Sequence, residues 1–296
     1  AQTLAAHAIR AAVERAGLDG SEISDCVIGT AIQQGSTGGN IGRQAAIRAG
    51  LPVTVAGMSL DRQCASGMMA IATAAKQVIT DGMDIVIGGG VESISLVQND
   101  KMRMDWLADA WTKANKPALY MSMLETAEIV ADRYGVSRED QDAYALQSQQ
   151  RTAAGQAGGK FDDEIVPITT KMLVQDKETK AISEREVTLT KDEGNRPSTK
   201  LDDLSGLSPV FKGGQTVQEG RFITAGNASQ LPMARLPRLL WKRKKPSVAA
   251  LRRWGATWAS WPQVASQMKW VSARFMPCPN CSRRMALKSK ISVFGS

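Results

Sequence analysis

Hydrophobic and polar positions in the first hundred residues follow two alternating periods. The helical period recurs over residues 1–16, 40–49 and 66–80. Short apolar runs, typical of buried strands, cover residues 26–30, 53–60 and 84–93. Glycine-rich segments separate several of these runs, as turns require. Strands that alternate with helices predict an α/β domain with a mainly parallel sheet.

The pattern changes between about residue 100 and residue 220. Helical periods at 124–134 and 138–157 precede a charged stretch at 171–191, which we expect to be irregular. This part of the chain is predicted to be an insertion rather than a continuation of the sheet. Two later segments are predicted to return towards the core, at 207–211 and 221–229.

The net charge of +8 is distributed unevenly. Residues 231–296 hold fourteen Lys and Arg side chains and no Asp or Glu. Residues 1–230 therefore carry 23 of the 37 basic side chains and all 29 acidic ones, a net charge of −6. The last 66 residues also hold five of the seven tryptophans. So abrupt a change of composition needs an explanation.

The length of 296 residues allows two modest domains or one large domain. The sequence has no apolar run of 18 residues and no basic start that leads into an apolar stretch, so we expect neither a membrane span nor a signal peptide. Four cysteines are too few for a disulfide scaffold, which favours a cytoplasmic location. Because the first residue is Ala1, we expect a fragment that lacks its true start.

Cys64 lies where the apolar run 53–60 gives way to the helical run 66–80. A thiol at the N-terminal end of a helix faces free backbone N–H groups and the positive end of the helix dipole, and both stabilise the nucleophilic thiolate. The small residues Ala65, Ser66 and Gly67 leave room for a substrate carbonyl. The pattern predicts a covalent acyl carrier, and the alternative is a buried structural cysteine.

Five segments, in order along the chain, resemble the thiolase family, which includes the acetyl-CoA acetyltransferases and the 3-ketoacyl-CoA thiolases. The Arg-Gln-Cys-Ala-Ser-Gly-Met string around Cys64 is similar to the acyl-accepting cysteine segment of that family. The Gly-Gly-Gly-Val-Glu-Ser-Ile-Ser segment resembles its Gly-Gly-x-Glu-Ser/Asn-Met-Ser turn. The five segments are residues 61–70, 88–95, 123–128, 161–168 and 224–229.

The resemblance implies a function for three residues. Cys64 would take the acyl group from an acyl-CoA, and Met123 and Ser229 would line the site for the acyl and pantetheine groups. It further implies coenzyme A thioesters as substrates, with acyl-CoA and CoA as small-molecule partners and no metal or other cofactor. A homo-oligomer is typical of the family, and we expect no binding to nucleic acid or membranes.

The resemblance also implies a domain organisation. A thiolase-like N-terminal α/β layer domain, without its first strand, would span residues 1–100, and an α+β loop domain would span 101–220. Residues 221–230 would return to the N-terminal core, and 231–296 would be a non-native tail. We expect the C-terminal half of the duplicated fold to be missing.

The missing half would supply the catalytic groups that complete the thiolase cycle. The family's Asn-Glu-Ala-Phe, Gly-His-Pro and Cys-x-Gly motifs do not occur in these 296 residues, and the single histidine is His7 in the first helical run. We therefore expect a thiolase by family that is inactive as the 296-residue chain. Loss of the second half would also leave apolar faces exposed, which predicts poor solubility and a disordered or falsely helical tail.

A slip of the reading frame accounts for the tail. Synonymous codons can be chosen for residues 239–251 so that the same DNA, read one base earlier, encodes Leu-Met-Glu-Ala-Lys-Glu-Ala-Glu-Arg-Arg-Gly-Leu. That is a helical sequence typical of thiolases at this place. The same shift on residues 288–296 encodes Val-Glu-Asp-Ile-Gly-Leu-Trp-Glu-Leu. Such a slip also explains the loss of every acidic residue.

Other interpretations of the chain remain. It could be a relative of the β-ketoacyl synthases, although the long insertion and the string around Cys64 favour a thiolase. It could be a truncated, non-enzymatic protein whose basic run 242–246 binds nucleic acid. The Cys278-Pro-Asn-Cys281 segment could be half a zinc site or a redox pair, and Gly88–Gly90 could be a phosphate loop rather than a tight active-site turn.

The coding DNA tests the frame-slip hypothesis directly. We predict that a single-base shift placed just after the codon for Gln230 restores a thiolase-like sequence with an ordinary proportion of acidic residues. Sequencing of the genomic locus on both strands is the measurement. A locus in which no single-base shift restores such a sequence contradicts the hypothesis.

Overall fold

The computed structural model describes residues 1–176, 178–229 and 238–241. The described residues contain the helices α1 (Gln2–Ala16), α2 (Ile41–Arg48), α3 (Ser66–Ile79), α4 (Ile94–Val97), α5 (Ala110–Asn115), α6 (Met123–Tyr134), α7 (Arg138–Ala157) and α8 (Leu201–Ser205). Their strands are β1 (Asp25–Gly29), β2 (Ala56–Leu60), β3 (Ile85–Gly90), β4 (Ile168–Gln175), β5 (Ile182–Leu189) and β6 (Arg238–Trp241). None of these helices has both the length and the apolarity that crossing a membrane requires.

A four-stranded sheet in the order β2-β1-β3-β6 forms the centre of the fold. Strands β1, β2 and β3 are parallel, and β6 is antiparallel to β3. Parallel neighbours need a crossover connection, and α2 and α3 provide the crossovers between these strands. The predicted α/β fold with a mainly parallel sheet is therefore confirmed.

Alternate residues of the central strands face two separate apolar layers. Cys26 and Ile28 of β1 lie in a cluster with α1 and α2, whereas Val27 lies in a cluster with α3. The side chains of a strand point alternately to its two faces, so α1 and α2 cover one face of the sheet and α3 covers the other. Both faces are buried, which explains why the strands are continuous apolar runs in the sequence.

Two predicted helix boundaries rest on local chemistry. α1 ends at Gly17, whose φ of 64° is the left-handed conformation that glycine adopts without a steric penalty. α2 begins after Asn40, whose side-chain oxygen accepts a hydrogen bond from the Arg43 N–H at 3.1 Å. This contact satisfies one of the donors that a helix N-terminus leaves free.

The structure corrects the start of the second strand. The run 53–60 is extended only from Ala56, because residues 52–55 form a turn in which the Val55 N–H donates to the Pro52 carbonyl at 3.0 Å. Val53 is 78% exposed, as a turn residue can be. The apolar side chains before Ala56 therefore belong to the connection from α2 and not to the sheet.

The charged stretch 171–191 is also corrected, because it is not irregular. β4 and β5 pair over eight residues, from Ile168↔Leu189 to Gln175↔Ile182, as an antiparallel hairpin. The turn between them is closed by Asp176, whose side chain accepts hydrogen bonds from the Thr179 and Glu178 N–H groups at 2.7 and 3.0 Å. Both faces of the hairpin are largely exposed, so the sequence lacks the apolar alternation that marks a half-buried strand.

Four residues of the expected tail are part of the sheet. β6 pairs with β3 from Ile85↔Trp241 to Gly88↔Arg238. The expectation of disorder or helix is wrong for these residues. The rest of 231–296, including the basic run 242–246 and the Cys278-Cys281 pair, lies outside the described residues.

Large apolar side chains are exposed in the part of the insertion before α6. Trp106 is 94% exposed, Leu119 71% and Trp111 68%. Contiguous apolar surface on a protein marks either a contact with a partner or a tendency to aggregate. Poor solubility of the 296-residue chain stays a prediction.

Three glycines bring the start of α3 into contact with the ends of β1 and β3. A Cβ at Gly29 would overlap the backbone carbonyl group of Ser66, and a Cβ at Gly90 would lie 3.1 Å from the Gly67 Cα. The backbones of helix and sheet are therefore in close contact at this point. The three-glycine junction, Gly29, Gly67 and Gly90, therefore sets the distance between the first turn of α3 and the carboxyl edge of the sheet.

This junction yields a paired stability test. We expect Gly29→Ala to lower the free energy of unfolding by about 3 kcal/mol, because its Cβ must displace helix backbone. Gly67→Ala is the matched control: its Cβ would meet Gly90 atoms at 3.8 and 3.9 Å, which is ordinary contact, and alanine is the better helix former. Urea unfolding followed by circular dichroism measures both, and equal losses in the two variants would contradict the proposed tight contact.

Candidate active site around Cys64

The turn that connects β2 to α3 carries Cys64 on the protein surface. β2 ends at Leu60, α3 begins at Ser66, and the thiol of Cys64 is exposed between them. The turn has this position because β2 is paired with β1 and α3 rests on the three-glycine junction. The structure thus places the cysteine at the N-terminal end of a helix, as the sequence predicts.

The first turn of α3 has free hydrogen-bond donors. Its N-cap residue is Ala65, which has no side-chain oxygen, so α3 lacks a side-chain cap. Within the described residues, the N–H groups of Gly67 and Met68 donate to no acceptor. These donors and the helix dipole make the region beside Cys64 favourable for negative charge.

Side chains hold the turn before the helix in one conformation. The Asp61 Oδ1 accepts a hydrogen bond from the Gln63 N–H at 2.6 Å, and the buried Ser66 Oγ contacts the backbone of Arg62 and Gln63. Gln63 has a φ of +50°, a conformation that is unusual for a residue with a Cβ. Hydrogen bonds from two side chains therefore stabilise the conformation of this turn.

The glycines of the segment 88–95 lie in β3, against the helix that follows Cys64. Gly88–Gly90 are the last three residues of β3, so the predicted tight turn or phosphate loop at these glycines is wrong. Gly88 lies directly under α3, since a Cβ there would be 3.0 Å from the Ile71 Cα and the Ala74 Cβ. Gly88 and Gly90 are needed because α3 packs on the strand at these positions and leaves no space for side chains.

Glu92 joins the ends of the two central strands. Its carboxylate accepts hydrogen bonds from the Thr30 hydroxyl at 3.0 Å and from the Ala31 N–H at 2.7 Å. The Val91 N–H also donates to the Gly29 carbonyl at 3.0 Å. The connections that follow β1 and β3 are thus fixed to each other beside the three-glycine junction.

Met123 and Ser229 are both on the surface. Met123 is the first residue of α6 and is 76% exposed, with Ser122 capping the helix by accepting from the Glu125 N–H at 3.2 Å. Ser229 is exposed at the end of the segment 224–229. Their assignment to an acyl and pantetheine site stays a prediction.

Asn227 gives the segment 224–229 its shape. Its side-chain oxygen accepts from the Thr224 N–H at 2.8 Å, and its amide nitrogen donates to the Asp142 carboxylate and to the Phe222 carbonyl, both at 2.9 Å. Asp142 is 2% exposed and forms an ion pair with Arg138 at 2.8 Å. The segment is therefore anchored to α7.

Two buried carboxylates on α6 were not identified from the sequence. Glu125 and Glu128 are each 2% exposed. Glu125 accepts from the N–H groups of Thr216 and Val217 at 2.6 and 3.1 Å. Glu128 accepts hydrogen bonds from the backbone N–H groups of Arg221 at 2.9 Å, Phe222 at 3.1 Å and Ile223 at 2.8 Å.

Burial and hydrogen bonding act in opposite directions on Glu125. Burial raises the pKa of its carboxyl group, but the backbone donors of Thr216, Gln215 and Val217 outweigh burial, and the pKa is lowered. The structure also shows why two glycines lie opposite these glutamates: a Cβ at Gly214 or Gly220 would collide with the carboxyl group of Glu125 or Glu128. The three-residue spacing of the two glutamates places them on one face of α6.

Comparison with known proteins now identifies the chain. A family model described as the N-terminal domain of thiolase matches residues 1–232, which is more than three quarters of the sequence. The chain belongs to the thiolase family. The match includes Cys64 and the five segments that resemble thiolase motifs.

Individual thiolases show the same likeness. The chain is 38% identical over 248 residues to a 3-ketoacyl-CoA thiolase of Bacillus subtilis and 41% identical over 243 residues to the peroxisomal 3-ketoacyl-CoA thiolase 5 of Arabidopsis thaliana. These matches cover 84% and 81% of this chain but 61% and 50% of the two relatives. The chain thus spans about half to three fifths of the length of the curated thiolases it matches.

A solved structure agrees with the sequence matches. The acetyl-CoA acetyltransferase of Bacillus anthracis superimposes with a TM-score of 0.64 at 33% identity. The superposition covers 82% of this chain and 60% of that one. The thiolase fold is therefore shown for the part of the chain that carries Cys64.

The two described cysteines of this thiolase differ in their chemistry. Cys26 is completely buried in β1, and burial, with a smaller effect from the Asp25 carboxylate, raises the pKa of its thiol to about 12. A thiol in that environment is inert because the nucleophilic form is the thiolate. Cys64, in contrast, is exposed.

Cys64 does not line either of two clefts in the described residues, one beside Arg43 and one beside Arg221.

Alkylation distinguishes the two cysteines. We expect iodoacetamide at neutral pH to modify Cys64 in the folded chain and to leave Cys26 unmodified, with a ratio of rates of at least about 100. Peptide mass spectrometry after digestion measures each site separately. Denaturation in urea before alkylation is the control, since it should make Cys26 reactive, and early modification of Cys26 in the folded chain would contradict the described burial.

Proposed function

We propose that the 296-residue chain is the acyl-accepting part of a thiolase. The thiolate of Cys64 attacks the carbonyl carbon of an acyl-CoA, the bond from that carbon to the CoA sulfur breaks, and CoA leaves as a thiolate that takes up a proton. The product is an acyl thioester on Cys64. The observation that carries this proposal is an exposed cysteine at the uncapped N-terminus of a helix, in a chain that belongs to the thiolase family.

The site supports the first half of a thiolase reaction. Cys64 immediately precedes the uncapped N-terminus of α3, and its thiol is exposed, as a nucleophile that meets an external substrate must be. Exchange between a thiol and a thioester changes no oxidation state, so this step requires no redox cofactor. We propose acyl-CoA and CoA as the small-molecule partners.

The second half of the cycle needs groups that this chain lacks. Removing a proton beside a thioester carbonyl requires a positioned base and donors for the oxyanion. The three family motifs expected to supply them do not occur in the sequence. His7 does not replace them, because it lies on α1, which covers the face of the sheet opposite to α3. We propose that the chain becomes acylated and does not turn over.

Acylation without turnover is directly measurable. We expect intact-protein mass spectrometry to show one acetyl group per chain after incubation with acetyl-CoA, located on Cys64 by peptide mapping. The variant Cys64→Ser should remain unmodified, and a variant with both Cys278→Ser and Cys281→Ser should be acetylated like the parent chain. Thiolysis of acetoacetyl-CoA should be slower by several orders of magnitude than in a full-length thiolase assayed in parallel.

Two outcomes would overturn this proposal. Acetylation that persists in Cys64→Ser would show that the acyl group is carried elsewhere. Thiolysis by the 296-residue chain at the rate of the full-length enzyme, retained after removal of trace contaminants by a second chromatographic step, would show that the chain completes the cycle.

A further inference from the structure

The turn before Cys64 is held by side chains of two residues that no motif assigns to a function. Asp61 accepts a hydrogen bond from the Gln63 N–H through its Oδ1 at 2.6 Å. Gln63 has a φ of +50°, where a side chain crowds the backbone, so other contacts must stabilise this conformation. The Asp61 carboxylate supplies one such contact immediately before the cysteine.

Ser66 supplies the second contact. Its side chain is buried, with the residue 3% exposed, although it lies only two positions after the exposed Cys64. The Ser66 Oγ accepts from the Arg62 N–H at 2.9 Å and donates to the Gln63 carbonyl at 2.6 Å. One hydroxyl therefore joins the two residues that precede Cys64 to the first residue of α3.

The Ser66 hydroxyl bonds to the turn and not to the helix that it begins. The residue at the cap position of α3 is Ala65, whose side chain has no oxygen that could accept from the helix N–H groups. The N–H groups of Gly67 and Met68 therefore have no acceptor within the described chain, whereas Ser66 connects the helix start to Arg62 and Gln63.

We propose that Ser66 and Asp61 are positioning residues for Cys64. They fix the backbone of the turn at Gln63, and so hold Cys64 in one orientation before the first turn of α3. Neither residue contacts the reacting atoms. For the acyl transfer itself this inference rests on the proposed function, but the geometry of the thiol can be tested without an acyl-CoA.

Matched variants separate the hydrogen bonds from other effects. Ser66→Ala removes the hydroxyl and Ser66→Thr retains it. Asp61→Ala and Asp61→Asn both remove the carboxylate charge, but only asparagine keeps an oxygen that can accept from the Gln63 N–H. Ala74→Gly is the stability control, because it weakens the same helix at a fully buried position far from the turn.

The measurement is the second-order rate constant for iodoacetamide at Cys64 in the full chain, with thermal unfolding recorded for each variant. We expect Ser66→Ala and Asp61→Ala to react about three- to fivefold more slowly, the effect of a weakened interaction at a helix terminus. Ser66→Thr, Asp61→Asn and Ala74→Gly should stay within about twofold of the parent rate. Acetylation by acetyl-CoA should fall by about tenfold or more in Ser66→Ala, since attack on a carbonyl needs a defined approach.

Two results would overturn the positioning role. One is alkylation of Ser66→Ala and Asp61→Ala at the parent rate. The other is an equal slowing in Ala74→Gly, which would make the effect one of stability alone. If the parent chain is not acetylated but the alkylation differences appear, the proposed function fails and the positioning role of Ser66 and Asp61 stands.

Discussion

The contact between α3 and the ends of β1 and β3 is the constraint on which the site depends. Side chains at Gly29 or Gly90 would push the helix away from the sheet, because backbone atoms of Ser66 and Gly67 occupy the space. The close approach buries Ser66 beneath the turn while Cys64 stays at the surface. A nucleophile is presented most reproducibly when the backbone that carries it rests on a rigid element.

Buried polar contacts join the helices of the insertion to the segments around residues 216–227. Glu125 and Glu128 bind the backbone of residues 215–223, and Asp142 binds Asn227. A buried carboxylate is tolerated only when its oxygens are satisfied. Backbone N–H groups satisfy Glu125 and Glu128, and the side chains of Arg138 and Asn227 satisfy Asp142. Met123 and the segment 224–229 are thereby connected to the same two helices, so α6 and α7 place both predicted binding residues.

The parts of the fold that could be predicted are those in which burial imposes a period on the sequence. β1 and β3 are buried on both faces and α1 packs on one, so their apolar positions identified them. The hairpin β4–β5 was not predicted because it is exposed on both faces, so its sequence has no alternation of apolar and polar residues. The Glu125 and Glu128 contacts join residues about ninety positions apart, and no local pattern records such bonds.

The position of Cys64 at the start of a helix could be predicted from the sequence. The hydrogen bonds that hold the turn before it could not. The φ of Gln63 and the direction of the Ser66 hydroxyl follow from the folded turn and not from residue type. Among the motif residues described, Glu92, Glu125, Glu128 and Asn227 form structural hydrogen bonds, and Cys64 carries an exposed thiol. Most of the motif residues named here therefore shape the backbone around the exposed thiol. A match of sequence motifs can locate such a thiol because its neighbours in the chain fix the turn that carries it.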